Sequence, residues 1–299
     1  MTGPADARGT AAPETDVRET AVPETDVPET AVPELEVLVP TRNRPVELAT
    51  TLAGLAAQQD VEFGVLLSDQ SDGEAGYHTP SARTLIRVLR MQGRPVHTAR
   101  HLPRRGLAEH RAALLAMARA RYVLYLDDDV WLEPGALARM LAAIRELRCG
   151  FVGAAVQGLS YLDDVRPAEL APFERWTGRP APERVRPDTS EWRRWTLHNA
   201  ANPTHLAQRH VHGERWIAYK VAWVGGCVLY DREALLACGG FSFWRELPDE
   251  HVGEDVVAQQ RVMARFGGAG ILPTGAYHQE APTTLPVRDH EARELVSSP

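Results

Sequence analysis

The sequence predicts an α/β fold in which a mainly parallel central sheet is flanked by helices on both faces. Three observations predict it. Short apolar runs alternate with segments of helical periodicity. One of those runs, Tyr122-Val-Leu-Tyr-Leu-Asp-Asp-Asp-Val130, ends abruptly in three carboxylates. Polar turns such as Asp69-Gln-Ser-Asp-Gly73 follow the runs at their C-terminal ends, the edge where open α/β sheets bind ligands.

Residues 1–33 stand apart. Pro13-Glu-Thr-Asp-Val-Arg-Glu-Thr-Ala-Val22 is nearly repeated as Pro23-Glu-Thr-Asp-Val-Pro-Glu-Thr-Ala-Val32. Pro, Glu and Thr at this density bury too little apolar surface to offset ordering entropy, so a disordered tail is expected there.

Order is expected from Leu35. Leu35 to Val39 reads as a strand and Pro40-Thr-Arg-Asn-Arg-Pro45 as the loop after it. Pro45 suits the first turn of a helix that puts Leu48, Leu52, Leu55 and Ala56 on one face. Glu62 to Ser68 reads as the second strand, Thr84 to Met91 as a helix, and Val96 to Ala99 as a short strand. Leu107 to Ala120 is amphipathic, with Leu107, Leu114, Leu115 and Ala118 in phase, and delivers the chain to the acidic strand. A helix over Pro134 to Leu147 and a strand over Phe151 to Val156 follow.

Regularity then fails. Residues 158–218 carry Trp176, Trp192, Trp195 and Trp216, many Arg and Pro, and His198, His205, His210 and His212. The histidines lack H-x-x-x-H or H-E-x-x-H spacing, so a zinc site is not expected among them. Val221 to Tyr230, the helix Arg232 to Ala237, Gly239-Gly-Phe241, Gly253-Glu-Asp255, the helix Val256 to Phe266, Gly270 to Pro273 and Ala276-Tyr-His-Gln279 complete the chain.

The acidic strand end carries a chemical expectation. Adjacent carboxylates repel unless a cation or strong hydrogen bonds compensate. Mg²⁺ and Mn²⁺ prefer oxygen ligands, typically one or two carboxylates plus phosphate oxygens. Asp127, Asp128 and Asp129 therefore read either as a metal–diphosphate site or as a solvated acidic turn.

Composition narrows the classes. The 299 residues suffice for one large α/β domain or two smaller ones. A net charge of −7 leaves no nucleic-acid footprint. Lys220 is the only lysine, which with the Ala, Gly and Pro load points to a GC-rich, bacterial genome. Cys149, Cys227 and Cys238 lie in apolar stretches without C-x-x-C spacing, as buried thiols of a reducing compartment would. Neither a membrane span nor a signal peptide is present, so a soluble, cytoplasmic protein is expected.

These elements, in this order, resemble the family 2 glycosyltransferases, which have the GT-A fold. The resemblance runs from about Leu35 to His278. It rests on Pro40-Thr-Arg-Asn-Arg44, the Asp69-Gln-Ser71 turn, Arg111, Asp127-Asp-Asp129, Gly225-Gly226, Gly239-Gly-Phe241, Glu254-Asp255 with Arg261, and His278.

The resemblance implies a divalent metal, Mn²⁺ or Mg²⁺, and a nucleotide-sugar donor, with UDP-sugar favoured. It implies that Asp129 is the direct metal ligand, with Asp127 toward the ribose, Asp128 beside it, and His278 at the metal or diphosphate. It places Thr41, Arg42 and Arg44 on the nucleotide, with Gly225 and Gly226 at the donor. Asp69 matches a nucleobase contact, and a turn-capping Asx residue is the alternative. Arg111 matches a base- or phosphate-side cation, and a surface helix Arg is the alternative. Asp255 matches the catalytic base of an inverting displacement, with Glu254 orienting acceptor and Arg261 fixing carboxylates or phosphate. A helix cap is the competing role for the acidic pair.

The implied organisation is a donor-binding half over 34–157, an irregular acceptor-side segment over 158–220 and a catalytic half over 221–299. Trp faces in the irregular segment would suit stacking on an acceptor, although Trp in a core is commoner. Two other readings share the fold. A sugar-nucleotide pyrophosphorylase would need a G-x-G-T-R loop and a following Lys, which are absent. An inactive nucleotide-binding relative would have lost Asp129, Asp255 or His278, which are present.

Overall fold

The computed structural model describes residues 32–284 and 288–296. Except for Val32 and Pro33, the Pro/Glu/Thr-rich tail lies outside the described residues.

In chain order the first half contains β1 (Leu35–Thr41), α1 (Pro45–Ala56), β2 (Gly64–Asp69), α2 (Pro80–Met91), β3 (Val96–Arg100), α3 (Leu107–Met117), β4 (Tyr122–Leu126), β5 (Val130–Leu132), α4 (Ala136–Leu147), β6 (Phe151–Gly153) and β7 (Gln157–Gly158). Then come α5 (Pro167–Leu170), a run of 3₁₀ turns over Ser190–His198, α6 (Asn202–His210), β8 (Ile217–Tyr219), β9 (Cys227–Asp231), α7 (Arg232–Ala237), α8 (Glu254–Phe266), β10 (Gly268–Leu272), β11 (Ala276–His278) and α9 (Ala292–Leu295).

The main sheet has eight strands in the order β3-β2-β1-β4-β9-β6-β10-β8. β1 runs parallel to both neighbours, with Thr41 opposite Asp69 and Leu38 opposite Tyr125. Every residue of β1 and β4 is buried, as expected of strands covered on both faces. Leu48, Leu52 and Leu55 of α1 and Leu137 and Met140 of α4 pack on one face with Val37 and Leu124. Leu114 and Leu115 of α3 and Val262 and Met263 of α8 pack on the other with Leu38 and Tyr125. Each such buried side chain contributes about 1.5–3 kcal/mol.

The sheet is mostly parallel, with two reversals. β9 is antiparallel to both β4 and β6, and β8 runs antiparallel along β10. Within the regular segment Val221 to Tyr230 the strand begins only at Cys227, after Gly226 turns the chain at φ +77°. A second, three-stranded sheet in the order β5-β11-β7 sets His278 opposite Val130 and Gly158. The segment 158–218 is not structureless: it folds into short helices and 3₁₀ turns. Among the described residues, no helix is long and apolar enough to cross a membrane.

Candidate active site

The three aspartates leave β4 in a tight turn and diverge. Asp127 N donates to Gly226 O at 2.9 Å and Val130 N to Asp127 O at 3.2 Å. A Cβ on Gly226 would meet Val156 Cγ2 at 2.9 Å, and its φ of +77° is one that other residues rarely adopt, so glycine suits this turn beside the aspartate. The Asp127 side chain remains 38% exposed.

Asp128 turns inward. Its carboxylate accepts a hydrogen bond from Thr41 Oγ1 at 2.7 Å and one from Arg44 Nη1 at 3.1 Å. Burial pushes its pKa up to about 7 against the pull of Thr41 and Arg44. Thr51 Oγ1 donates to its carbonyl at 2.8 Å. Asp128 thus ties β4 to the first loop.

Asp129 lines the cleft, although only 4% of it is exposed. Its Oδ2 lies 2.5 Å from Arg44 Nη1 and 3.5 Å from His278 Nε2. Burial and Asp127 raise its pKa, while His278 and Arg44 oppose the shift. Arg44 also donates to Pro282 O at 2.5 Å. Thr41, Arg42, Arg44, Asp127, Asp129 and His278 border one cleft of about 280 Å³.

His278 has a defined proton arrangement. Its Nδ1 accepts the Glu280 backbone N–H at 2.7 Å. A neutral imidazole that accepts at Nδ1 carries its proton on Nε2, the atom facing Asp129.

The second acidic pair opens α8. Gly253 caps the helix at φ +78°, and Glu254 and Asp255 occupy its first turn, where the helix dipole favours carboxylates. Glu254 is 3% exposed. Its Oε1 lies 3.0 Å from Arg111 Nε, while Arg111 Nη2 donates to Asp127 Oδ1 at 3.0 Å. Burial opposes the charge on Arg111, but Asp127 and Glu254 outweigh it and hold the guanidinium above its ordinary pKa. Burial raises Glu254 despite Arg111. Asp255 accepts Val256 N at 2.8 Å. Burial, followed by the charge of Glu254, pushes its pKa up to about 7.

Two expected site residues have structural partners. Asp69 is fully buried, and its Oδ1 and Oδ2 accept the backbone N–H groups of Ser71 at 2.6 Å and Gly76 at 2.7 Å. Both oxygens hold the turn, as an Asx residue would. Arg261 lies over the Phe243 ring at 5.1 Å, beside a separate cavity under α8, because its helical position turns it from the Asp255 face. Arg111 is buried, at 5% exposure, and is no surface cation. Arg42 reaches Asp72 at 3.2 Å, in a pair whose Asp is exposed.

Several contributors gave no sequence signal. Gln259 is fully buried; its Oε1 accepts Val224 N at 2.8 Å and its Nε2 donates to Val224 O at 2.7 Å. With Gln260 Nε2 donating to Ala222 O at 2.5 Å, it fixes the Gly225–Gly226 loop to α8. Trp176 and Trp216 pack on the core, and Trp192 packs against the second core cluster. The indole beside Gly225 is Trp223. A lone Gln in an amphipathic helix and a Trp in an apolar run look like surface and core residues until their partners are known. No group of three or more His, Cys, Asp or Glu that could hold a metal occurs among the described residues.

Residues 36–216 match the family model for Glycosyl transferase family 2, more than half of the chain. The chain belongs to glycosyl transferase family 2. The three-dimensional neighbours of this family 2 chain include the S. aureus TarS fragment 1–349 in complex with UDP-GlcNAc. It is 16% identical, with a TM-score of 0.52 over 84% of this chain and 60% of that one. The mannosyltransferase PcManGT from Pyrobaculum calidifontis, in complex with GDP-Man and Mn²⁺, is 15% identical, with a TM-score of 0.52 over 86% and 59%. A longer TarS structure is 16% identical, with a TM-score of 0.52 over 83% and 37%. The chain therefore spans 37% to 60% of the length of these neighbours. At such identities the likeness establishes the GT-A fold. No curated protein matches the sequence.

Proposed function

We propose that this family 2 chain is an inverting glycosyltransferase that moves a sugar from a nucleoside diphosphate sugar to an acceptor hydroxyl. The observation carrying this reading is the Arg111 bridge, which sets Glu254 and the neighbouring Asp255 against the donor-side Asp127. Asp255, with a pKa near 7, suits a general base at neutral pH. In the step proposed, the acceptor oxygen bonds to the anomeric carbon while its proton passes to Asp255. The bond from that carbon to the diphosphate oxygen breaks, and the electron pair leaves with the diphosphate.

Asp129 would supply one carboxylate to a hard divalent cation, Mn²⁺ or Mg²⁺, with diphosphate and water oxygens completing its shell. Such a cation would stabilise negative charge on the departing diphosphate. The Glu280 hydrogen bond supports His278 as an Nε2–H donor to the diphosphate rather than a second metal ligand. Arg44 would exchange carboxylate contacts for phosphate contacts, a bidentate geometry that suits guanidinium. TarS bound to UDP-GlcNAc supports trying a UDP-sugar first.

The test is calorimetric titration with UDP and GDP, with and without Mn²⁺, followed by hydrolysis assays on UDP-glucose, UDP-GlcNAc and GDP-mannose. Metal-dependent binding of one diphosphate and slow release of its sugar are expected. Absence of binding by both would reject the reading.

A further inference from the structure

Beside Asp255 lies an aromatic pair that the donor chemistry leaves unused. The position a Cβ on Gly225 would occupy is 3.8 Å from Asp255 Oδ2 and 3.8 Å from Trp223 Cζ3, with no other non-neighbouring atom within 4 Å among the described residues. The base and the indole edge thus converge on the same point of the Gly225 loop. Behind the indole stands His198, at the end of the 3₁₀ turns, with ring centroids 3.9 Å apart and planes tilted by 55°. Trp223 Nε1 and His198 Nε2 are both buried, and neither has a hydrogen-bond partner among the described residues. Two desolvated polar atoms in one aromatic pair call for partners that a bound molecule would provide.

We propose that the His198–Trp223 pair recognises the acceptor, and that the acceptor is a neutral, ring-bearing polyol such as a glycoside. This rests on the transferase reading above. A hydroxyl can accept from the indole N–H and either donate to or accept from imidazole, so it satisfies both orphans. The C–H face of a sugar ring is apolar and suits an indole. The charges acting on Asp255 are Glu254, Arg111 and Asp127, two carboxylates against one guanidinium, so an anionic acceptor meets repulsion beside the base. Burial pushes the His198 pKa down to about 3, so it offers a hydrogen bond rather than a charge.

The experiment is saturation-transfer NMR on the full chain loaded with UDP and Mn²⁺. The probes are the methyl pyranosides of glucose, galactose, mannose and N-acetylglucosamine, with methyl glucuronoside as the anionic counterpart. At least one neutral glycoside should give a signal, stronger than that of the glucuronoside. Trp223→Ala should abolish it. His198→Phe, which keeps the ring contact but removes Nε2, should weaken binding about fivefold, the value of one hydrogen bond. UDP affinity and Tm should hold in His198→Phe. No glycoside signal in the UDP-loaded wild type, equal signal in both variants, or preference for the glucuronoside would overturn the acceptor site alone. Failure of both UDP and GDP to bind would remove the transferase reading and this inference with it.

Discussion

Arg111 and Glu254 form an ion pair at 3.0 Å whose side chains are 6% and 4% exposed. The other arm of Arg111 reaches Asp127, so one guanidinium joins the end of β4 to the start of α8. Without it, the buried Glu254 carboxylate would stand unpaired near Asp127.

Arg111→Met should therefore destabilise the protein by about 3–5 kcal/mol, the cost of leaving a buried charge unpaired. The loss should be largest at pH 8 and shrink toward pH 5, as the abandoned Glu254 carboxyl, already raised by burial, takes up its proton. Urea melts at the two pH values test this. An equal loss at both would assign the effect to packing.

Asp255→Asn should lower transfer by about 10²–10⁴-fold while donor affinity holds. Its stability effect has a definite sign. The carboxyl's folded pKa of about 7 lies above its unfolded value, so the ionised form costs stability. That penalty is absent below about pH 4, grows through pH 7 and is complete above it. Tm of the variant should thus match wild type at pH 4 and exceed it at pH 8. Wild-type turnover in the variant would leave Asp255 as a helix cap only.

Asp129→Asn should abolish most Mn²⁺-dependent diphosphate binding, because an amide oxygen lacks the charge that holds the cation. His278→Gln, which keeps a donor near the cleft, should bind Mn²⁺–UDP within about tenfold of wild type, a single hydrogen bond to a charged group being at stake. Calorimetry with and without metal distinguishes the two. A His278→Gln loss as deep as that of Asp129→Asn would make the imidazole a metal ligand.

Asp69→Ala should cost about 2–6 kcal/mol, since two buried backbone N–H groups lose their acceptors at about 1–3 kcal/mol each. Diphosphate affinity should fall with the loosened turn, but the ratio of UDP to GDP affinity should stay constant. A changed ratio in a variant that still melts cooperatively would restore Asp69 as a base-reading residue.

What could be read from the chain followed the range of its physics. The end of β4, the dipole-matched Glu254-Asp255 and the helix Arg232–Ala237, capped by Asp231 on Ala234 N at 3.1 Å, all depend on neighbours in sequence, and all were legible. Strand direction was not, because a run buried on both faces reads the same either way. The reversal of β9 was therefore hidden. Asp69 suits a turn and a base contact by residue type, and its two backbone donors became visible only in the folded turn. Arg111 and Gln259 act through partners distant in sequence. The helices of 158–218 are too short to show a period, as the four residues of α5 illustrate.

The β5-β11-β7 sheet has a consequence for biosynthesis. Arg44, near the start of the described residues, is bonded to Pro282 at a separation of 238 residues, and His278 reaches Asp129 only once β11 has paired with β5. A nascent chain still lacking its last strand can form most of the large sheet but cannot assemble the cleft. Fragments interrupted before β11 would then bind the proposed donor poorly, whatever part of the large sheet they had formed.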